Sequence, residues 1–254
     1  MKRLSFLVSI ALLGCSAQPK YEKPAVELPE AWKQTAPRYA ADGRWWRIYE
    51  DVELEKTVDE ALAGNADLLI AAARVDEARA LLGEARSFFF PRVDAQGSAT
   101  RQRNSERVAF SFPGAPREFS TYRGALEVSY EVDLFGRLSH ASAAAKLDAQ
   151  ASEALLQSAR LLIQAEVAQN YLALRALDDE RSLVRGTVGA YRETLALTER
   201  RWRAGDVAEL DVARAATEVA ATESEALALD RRRAELEHAL AVLVGEVPAN
   251  FSIP

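Results

Sequence analysis

The feature that most constrains this chain is a stretch from Leu138 to Trp202 that contains no proline and has a hydrophobic period of seven. Ten of the fourteen positions in two columns of residues seven apart are apolar. The columns are Leu156, Ile163, Asn170, Leu177, Val184, Tyr191, Thr198 and Arg160, Val167, Leu174, Arg181, Val188, Leu195, Trp202. Such columns are typical of a coiled-coil seam, so the stretch is predicted to form one long helix packed along another.

The partner helix is predicted to begin at Asp206 and to end near Val244, before Gly245 and Pro248. Asp206 and Glu209 have the spacing of a capping box, so both acids are expected to cap this helix. Its column of residues seven apart contains mostly small residues, which allow close helix approach: Ala213, Ala220, Leu227, Ala234 and Ala241. The turn at 203–208 would join the two helices into a long helical hairpin.

Two shorter helices are predicted upstream, over about 51–63 and 66–89, with Gly64 ending the first and Asn65 capping the second. At about 1.5 Å per residue, the helix over 138–202 spans roughly 98 Å, while those over 66–89 and 209–244 together span about 90 Å. Two shorter helices stacked beside one long helix suit the wall of a tube. Gly64 and the segment 245–254 would then lie near the junction of the shorter helices.

Between these helical regions the period changes to two. Apolar residues alternate with polar or charged ones from Ser120 to Leu134, and more weakly over 93–100, around a loop at about 103–118. This predicts a β-hairpin over 92–134. A two-stranded sheet is marginal alone, and strands with one apolar and one charged face suit a transmembrane barrel that other strands complete. The alternative is a half-buried soluble hairpin. In a barrel, the side chains expected to face the lumen are Arg123, Glu127, Glu131 and Asp133.

The first residues have the pattern of a secretion signal, with Lys2 and Arg3 before a short apolar run that ends at the sole cysteine, Cys15. The run before Cys15 resembles a bacterial lipobox. That resemblance implies a signal peptide over 1–14, lipidation of Cys15, and sorting to the outer membrane by Ser16. The alternative is an ordinary signal peptide. A proline-rich tether would follow over 15–44.

The composition argues against several other functions. A net charge of −6 gives no basic face for nucleic acid. His140 and His238 are about a hundred residues apart in the sequence, no glycine-rich phosphate loop is present, and no metal-ligand or catalytic set can be assembled. We therefore expect no enzymatic activity and no cofactor apart from the lipid on Cys15.

Five segments then carry a family resemblance. In chain order they are WWRIYEDVELEKTVDEAL (45–62), GNADLLIAAARVDEARA (64–80), FPRVDAQGSATRQR (90–103), YEVDLFGRLSHA (130–141) and RWRAGDVAELDVARAATEV (201–219). Together they resemble the outer-membrane efflux proteins of the TolC type, specifically the lipoprotein drug-efflux branch. The DLFGR run at 133–137 is the most specific of these strings.

The resemblance implies a fold that is mainly α with a β-hairpin, one repeat of a TolC-like channel. Equatorial and upper helices would occupy 45–91, barrel strands 92–137 and the α-barrel hairpin 138–245, before an equatorial segment that starts at 246–254. It further implies a homotrimer in the outer membrane. This channel would passively export drugs or other small toxic compounds, together with a periplasmic adaptor and an inner-membrane pump.

For the tip of the helical hairpin, the family pattern is matched by Arg203, Gly205, Asp211 and Val212. These residues are implied to contact the adaptor, although Asp206 or Val207 stands where a leucine is usual. The acids Asp206, Glu209 and Asp211 could line a pore or gate, with helix capping as the alternative for the first two.

Family members carry two such repeats, and this sequence supplies one. We expect either a fragment, which could be a non-functional remnant, or six copies in place of three. The alternative function is that of a periplasmic adaptor lipoprotein.

Overall fold

The computed structural model describes residues 21, 22, 24, 25, 43–105 and 116–254. A short 3-10 helix, Trp45–Tyr49, precedes α1 (Val52–Gly64) and α2 (Ala66–Ser87). The strands β1 (Arg92–Arg103) and β2 (Glu118–Ser129) follow, and then α3 (Arg137–Arg203) and α4 (Glu209–Val244). The predicted fold class, mainly helical with one β-hairpin, is confirmed. Among the described residues, no helix is both long and apolar enough to cross a membrane.

The seam predicted on α3 is confirmed by burial. Its 67 residues form one continuous helix, and the buried members of the two columns are Ile163, Val167, Leu174, Leu177 and Val188. The column predicted on α4 is buried only in its C-terminal part: Ala241 is buried and Ala234 half-buried, whereas Ala213, Ala220 and Leu227 are exposed. The first buried residue of α4 is Val219, one position before Ala220.

The chain divides into two compact units, one of which comprises residues 26–75 and 152–254. Its core joins α1, α3 and α4 through side chains that are almost fully buried. They are Leu54, Val58, Ala61, Val167, Tyr171, Leu174 and Leu240. Trp46 of the 3-10 helix and Ile253 near the end of the chain close this core at its edges. The apolar stripe of α1 therefore stabilises the unit through burial rather than through helix propensity.

The backbones of α1 and α4 meet at a pair of glycines. A β-carbon on Gly64 would lie 2.4 Å from the Val244 carbonyl oxygen, and one on Gly245 would lie 2.4 Å from the Gly64 carbonyl oxygen. Gly245 also has a φ of +85°, which favours glycine. The predicted meeting of Gly64 with the segment that begins at residue 245 is confirmed, and it requires residues without a side chain.

Asn65 completes this junction. Its Oδ1 accepts hydrogen bonds from the backbone N–H groups of Asp67 (3.0 Å) and Leu68 (3.1 Å), so it is the predicted N-cap of α2. Its Nδ2 donates to the Leu243 carbonyl at 2.8 Å, which links the cap to the end of α4. This buried side chain therefore uses both ends of its amide group.

The other unit comprises residues 1–25 and 76–151 and contains the hairpin. Its two strands are antiparallel and in continuous register from Arg92↔Ser129 to Arg103↔Glu118. The prediction that β2 extends to Leu134 is wrong, because the strand ends at Ser129. The alternation continues in the sequence for five more residues, but those residues form the approach to α3.

Candidate functional site

The hairpin sorts its side chains onto two different faces. Residues directly opposite each other in an antiparallel pair project to the same side of the sheet. One face therefore holds four consecutive apolar or glycine pairs: Val93–Val128, Ala95–Leu126, Gly97–Gly124 and Ala99–Tyr122. Tyr122 and Leu126 are 80% and 78% exposed, so this apolar face has no covering layer within the described residues. A face of this kind needs an apolar partner.

The opposite face of the hairpin is polar. Its pairs include Asp94–Glu127, Gln96–Ala125 and Ser98–Arg123. Arg123 and Glu127, two of the four residues predicted to face a lumen, therefore lie on the same face and are exposed. Their alternation with apolar neighbours is confirmed, and their position in a lumen stays a prediction.

Glu131 and Asp133 require a correction, because both lie beyond the end of β2. Asp133 accepts hydrogen bonds from the backbone N–H groups of Leu138 (3.1 Å) and Ser139 (2.9 Å), and from the Ser139 hydroxyl at 2.6 Å. These bonds, with the Ser139 hydroxyl contributing most, hold the pKa of Asp133 below its ordinary value. Glu131 pairs with Arg137, whose Nε lies 2.8 Å from Glu131 Oε1. Asp133, the first residue of the DLFGR run, therefore caps α3, the helix that follows the hairpin.

The turn of the helical hairpin lies where it was predicted, between the end of α3 at Arg203 and the start of α4 at Glu209. Gly205 has a φ of +81°, a backbone conformation that L side chains rarely adopt. Its N–H donates to the Trp202 carbonyl at 2.9 Å, and the next N–H, of Asp206, donates to the Arg201 carbonyl at 2.9 Å. Gly205 therefore shapes the turn, and Arg203 is exposed beside it.

The cap of α4 differs from the prediction. The helix begins at Glu209 rather than at Asp206, so these two acids do not form the predicted capping box. Instead the carboxylate of Asp211 accepts a hydrogen bond from the N–H of Ala208 at 3.3 Å. Asp211 thus has a structural role in the turn beside the adaptor contact that the resemblance implies, and Val212 next to it is half-buried.

Sequence reasoning missed a cluster of charges between α3 and α4. The Asp178 carboxylate accepts hydrogen bonds from Arg181 (2.8 Å) and Arg233 (2.7 Å), while Arg181 also donates to Asp230 (2.7 Å). Burial raises the pKa of Asp178, but the two guanidinium groups outweigh that effect and hold it below its ordinary value. Arg181 occupies a position in the predicted seam, which is the one signal that could have indicated a charged partner on α4.

This cluster continues into the last residues of the chain. Arg233 donates to the Ile253 carbonyl at 2.8 Å, and the Ile253 N–H donates to Glu237 at 2.9 Å. A second buried contact joins α1 to α3, because the Tyr171 hydroxyl donates to Asp51 at 2.8 Å while accepting from Arg175 at 3.0 Å. These contacts hold the helices together, and none of them forms a pocket with a reactive group.

Two further predictions concern groups outside this framework. Cys15, the predicted lipidation site, lies outside the described residues, as does most of the tether. In the ranges that the structure describes, no three histidine, cysteine or acidic side chains are grouped so that they could hold a metal ion. His140 and His238 are assigned to different units of the chain.

Comparison with known proteins shows which family the chain resembles. The family model described as outer membrane efflux protein matches residues 57–246. A solvent efflux pump outer membrane protein of Pseudomonas putida, SrpC, is 33% identical over 98% of this chain and 55% of its own length. The cation efflux system protein CusC of Escherichia coli strain K12 is 28% identical over 96% of this chain and 53% of its own length.

A solved structure supports the same fold. The CmeC outer membrane channel of Campylobacter jejuni matches with a TM-score of 0.80 at 22% identity, over 94% of this chain and 53% of that one. The chain thus spans about half the length of the curated relatives it matches, as one repeat of such a channel does. Since the family model covers most of the sequence and the fold agrees, the chain belongs to the outer membrane efflux protein family.

Proposed function

We propose that this chain is part of an outer-membrane channel that exports small molecules as a passive conduit. In this proposal the β-hairpin crosses the outer membrane and the long helical hairpin lies in the periplasm. The channel itself supplies neither energy nor chemistry, so it depends on a pump in the inner membrane. Two relatives, a solvent efflux pump component and a cation efflux system protein, belong by name to export systems.

The observation that carries the proposal is the register of the hairpin, which separates four apolar or glycine pairs from a polar face. The strands of twelve residues are about 40 Å long at roughly 3.4 Å per residue. Tilted by about 40°, as in outer-membrane barrels, they cover about 30 Å from end to end, and the part from Val93–Val128 to Ala99–Tyr122 covers about 16 Å of that depth. The apolar face would contact lipid, and the face of Arg123 and Glu127 would contact water in the lumen.

Closure of the barrel requires further strands, because a lipid-exposed sheet edge would leave backbone N–H and C=O groups without partners. We propose that other subunits supply them, in the homotrimer that the family resemblance implies. The same resemblance supports lipidation of Cys15 as the membrane anchor. It also supports contact of a periplasmic adaptor with the turn around Arg203, Gly205, Asp211 and Val212.

The proposal is tested by two substitutions at neighbouring positions of β2. In a Cys15→Ser background, which removes the anchor, we expect the chain to stay in the outer-membrane pellet after urea extraction. Leu126→Glu places a charge on the apolar face and should release most of the protein, while Glu127→Leu should not. Equal extraction of both variants, or full release of the parent chain, would contradict the proposal.

A further inference from the structure

The apolar face of the hairpin ends in two arginines at its loop end. Beyond the Ala99–Tyr122 pair, the register continues on the same face with Arg101–Ser120 and Arg103–Glu118. The Arg101 and Arg103 side chains are 77% and 73% exposed. Arginines in this position mark a change on this face, which carries apolar residues and glycine as far as the Ala99–Tyr122 pair and polar residues beyond it.

Along this face the residues change from apolar to charged toward the loop, in the same order as a leaflet changes from hydrocarbon to headgroups. Valine, alanine and leucine occupy the half of the strands away from the loop, Gly97 and Gly124 the middle, and Tyr122 follows at the level of Ala99. Tyrosine is enriched where membrane meets water, because its ring is apolar and its hydroxyl is polar. At about 3.4 Å per residue, Arg101 lies roughly 7 Å beyond Ala99 along β1, and Arg103 roughly 14 Å beyond it. The two guanidinium groups are thus at the depth of lipid headgroups if the face contacts lipid.

Among the described residues at this end of the hairpin, Glu118 is the acid that pairs with both arginines. Glu118 accepts a hydrogen bond from Arg101 at 3.0 Å, and its other oxygen lies 3.9 Å from Arg103. Within the described part of the hairpin, the two guanidinium groups thus share the carboxylate of Glu118. Each guanidinium group carries five N–H donors in a planar fork, an arrangement that matches phosphate oxygens. Donors and positive charge therefore remain for a second anion.

We propose that Arg101 and Arg103 bind the phosphate groups of anionic lipids in the leaflet at the loop end of the hairpin. The proposal rests on the proposed function, because it needs the apolar face to contact lipid. The Glu118 carboxylate would compete with the lipid phosphate for the two guanidinium groups. This contact would fix the depth of the hairpin, since the arginines cannot enter the hydrocarbon core without loss of their phosphate partners.

The test measures partition of the full chain, in the Cys15→Ser background, between buffer and vesicles. One set of vesicles is phosphatidylcholine alone, and the other contains added bis-phosphorylated lipid A. We expect tighter binding to the lipid A vesicles. Each cation near an anionic membrane surface contributes about 1 kcal/mol, so Arg101→Gln with Arg103→Gln should weaken that binding by about 30-fold. Binding to phosphatidylcholine vesicles should change little.

Two variants serve as matched controls. Arg123→Gln removes the same charge from the opposite face of the hairpin and should preserve the preference for lipid A. Glu118→Gln removes the competing carboxylate and should strengthen binding to lipid A vesicles by about fivefold. Free inorganic phosphate should not compete at concentrations comparable to that of the lipid, because it lacks the apolar anchor.

The outcomes separate this proposal from the proposed function. If the parent chain binds neither kind of vesicle, the hairpin does not enter lipid and the proposed function fails. If it binds both kinds equally, or if Arg123→Gln reduces the preference as much as the double variant does, the arginine pair is not a lipid site. Complete competition by inorganic phosphate would also overturn the proposal, because the site would then bind the free anion.

Discussion

Replacement of Gly64 by alanine should destabilise the chain, although alanine is the better helix former. Within a helix, the change from glycine to alanine normally contributes about 1 kcal/mol of stability. Here the new β-carbon would lie 2.4 Å from the Val244 carbonyl oxygen, whereas real β-carbons essentially never come closer than 3.0 Å. Because the obstacle is backbone, it cannot move as a flexible side chain would, and the ends of α1 and α4 must separate.

The size of the effect follows from what separation disturbs. Overpacking of a close contact typically costs about 1–3 kcal/mol. Separation of these ends would also weaken the 2.8 Å hydrogen bond between Asn65 and the Leu243 carbonyl, a contribution of about 1 kcal/mol. After subtraction of the propensity gain of about 1 kcal/mol, we expect Gly64→Ala to lower the free energy of unfolding by about 1–3 kcal/mol.

The assay is urea unfolding of the chain in detergent, followed by far-ultraviolet circular dichroism and by the fluorescence of buried Trp46. The matched control is Gly186→Ala, in the middle of α3, where an added β-carbon meets no atom within 4 Å. That variant should gain about 0.5–1 kcal/mol from propensity alone. The reasoning is refuted if Gly64→Ala is as stable as Gly186→Ala.

Three further predictions concern single side chains. Asn65→Ala should lower the free energy of unfolding by about 2 kcal/mol, because the cap of α2 and the hydrogen bond to α4 both disappear. Asn65→Asp should keep the cap and lower it by less, and urea unfolding of both variants measures the difference. Since the pKa of Asp178 is lowered in the folded chain, its ionised carboxylate stabilises the folded state above its ordinary pKa of 3.8. This stabilisation is lost as the pH falls below that value. The difference in unfolding free energy between the parent chain and Asp178→Asn should therefore vanish in acid, and a difference that stays constant with pH would contradict the assignment. Asp211→Ala should increase hydrogen exchange at the start of α4, whereas Asp206→Ala should leave it unchanged, because only Asp211 bonds to the Ala208 N–H.

The sequence was most informative where a hydrophobic pattern repeats many times. Each column of the seam on α3 has seven positions spaced seven residues apart, so local irregularities such as Arg181 do not hide it. Asn65 and Gly64 were predictable for another reason, since caps and helix stops depend on local backbone chemistry. The alternation that separates Tyr122 and Leu126 from Arg123 and Glu127 was likewise readable from period two.

Two of the incorrect predictions concern acids near a helix start, because spacing in the sequence does not decide which acid accepts from the free N–H groups there. Asp133 continues the alternation of β2, yet its carboxylate satisfies the free N–H groups at the start of α3. Asp206 has capping-box spacing to Glu209. However, α4 begins only at Glu209, after the turn at Gly205, and the Ala208 N–H donates to Asp211 instead. The charge cluster around Asp178 and Arg233 joins distant parts of the sequence, so no local pattern indicated it.

The central claim is that the hairpin lies in lipid with one face toward the hydrocarbon and the other toward water. The most direct measurement places a fluorophore on single cysteines at Tyr122, Arg123, Leu126 and Glu127 in the Cys15→Ser chain bound to vesicles. We expect quenching by brominated lipid at Tyr122 and Leu126, and quenching by aqueous iodide at Arg123 and Glu127. Equal quenching of all four sites by iodide, with none by brominated lipid, would contradict it.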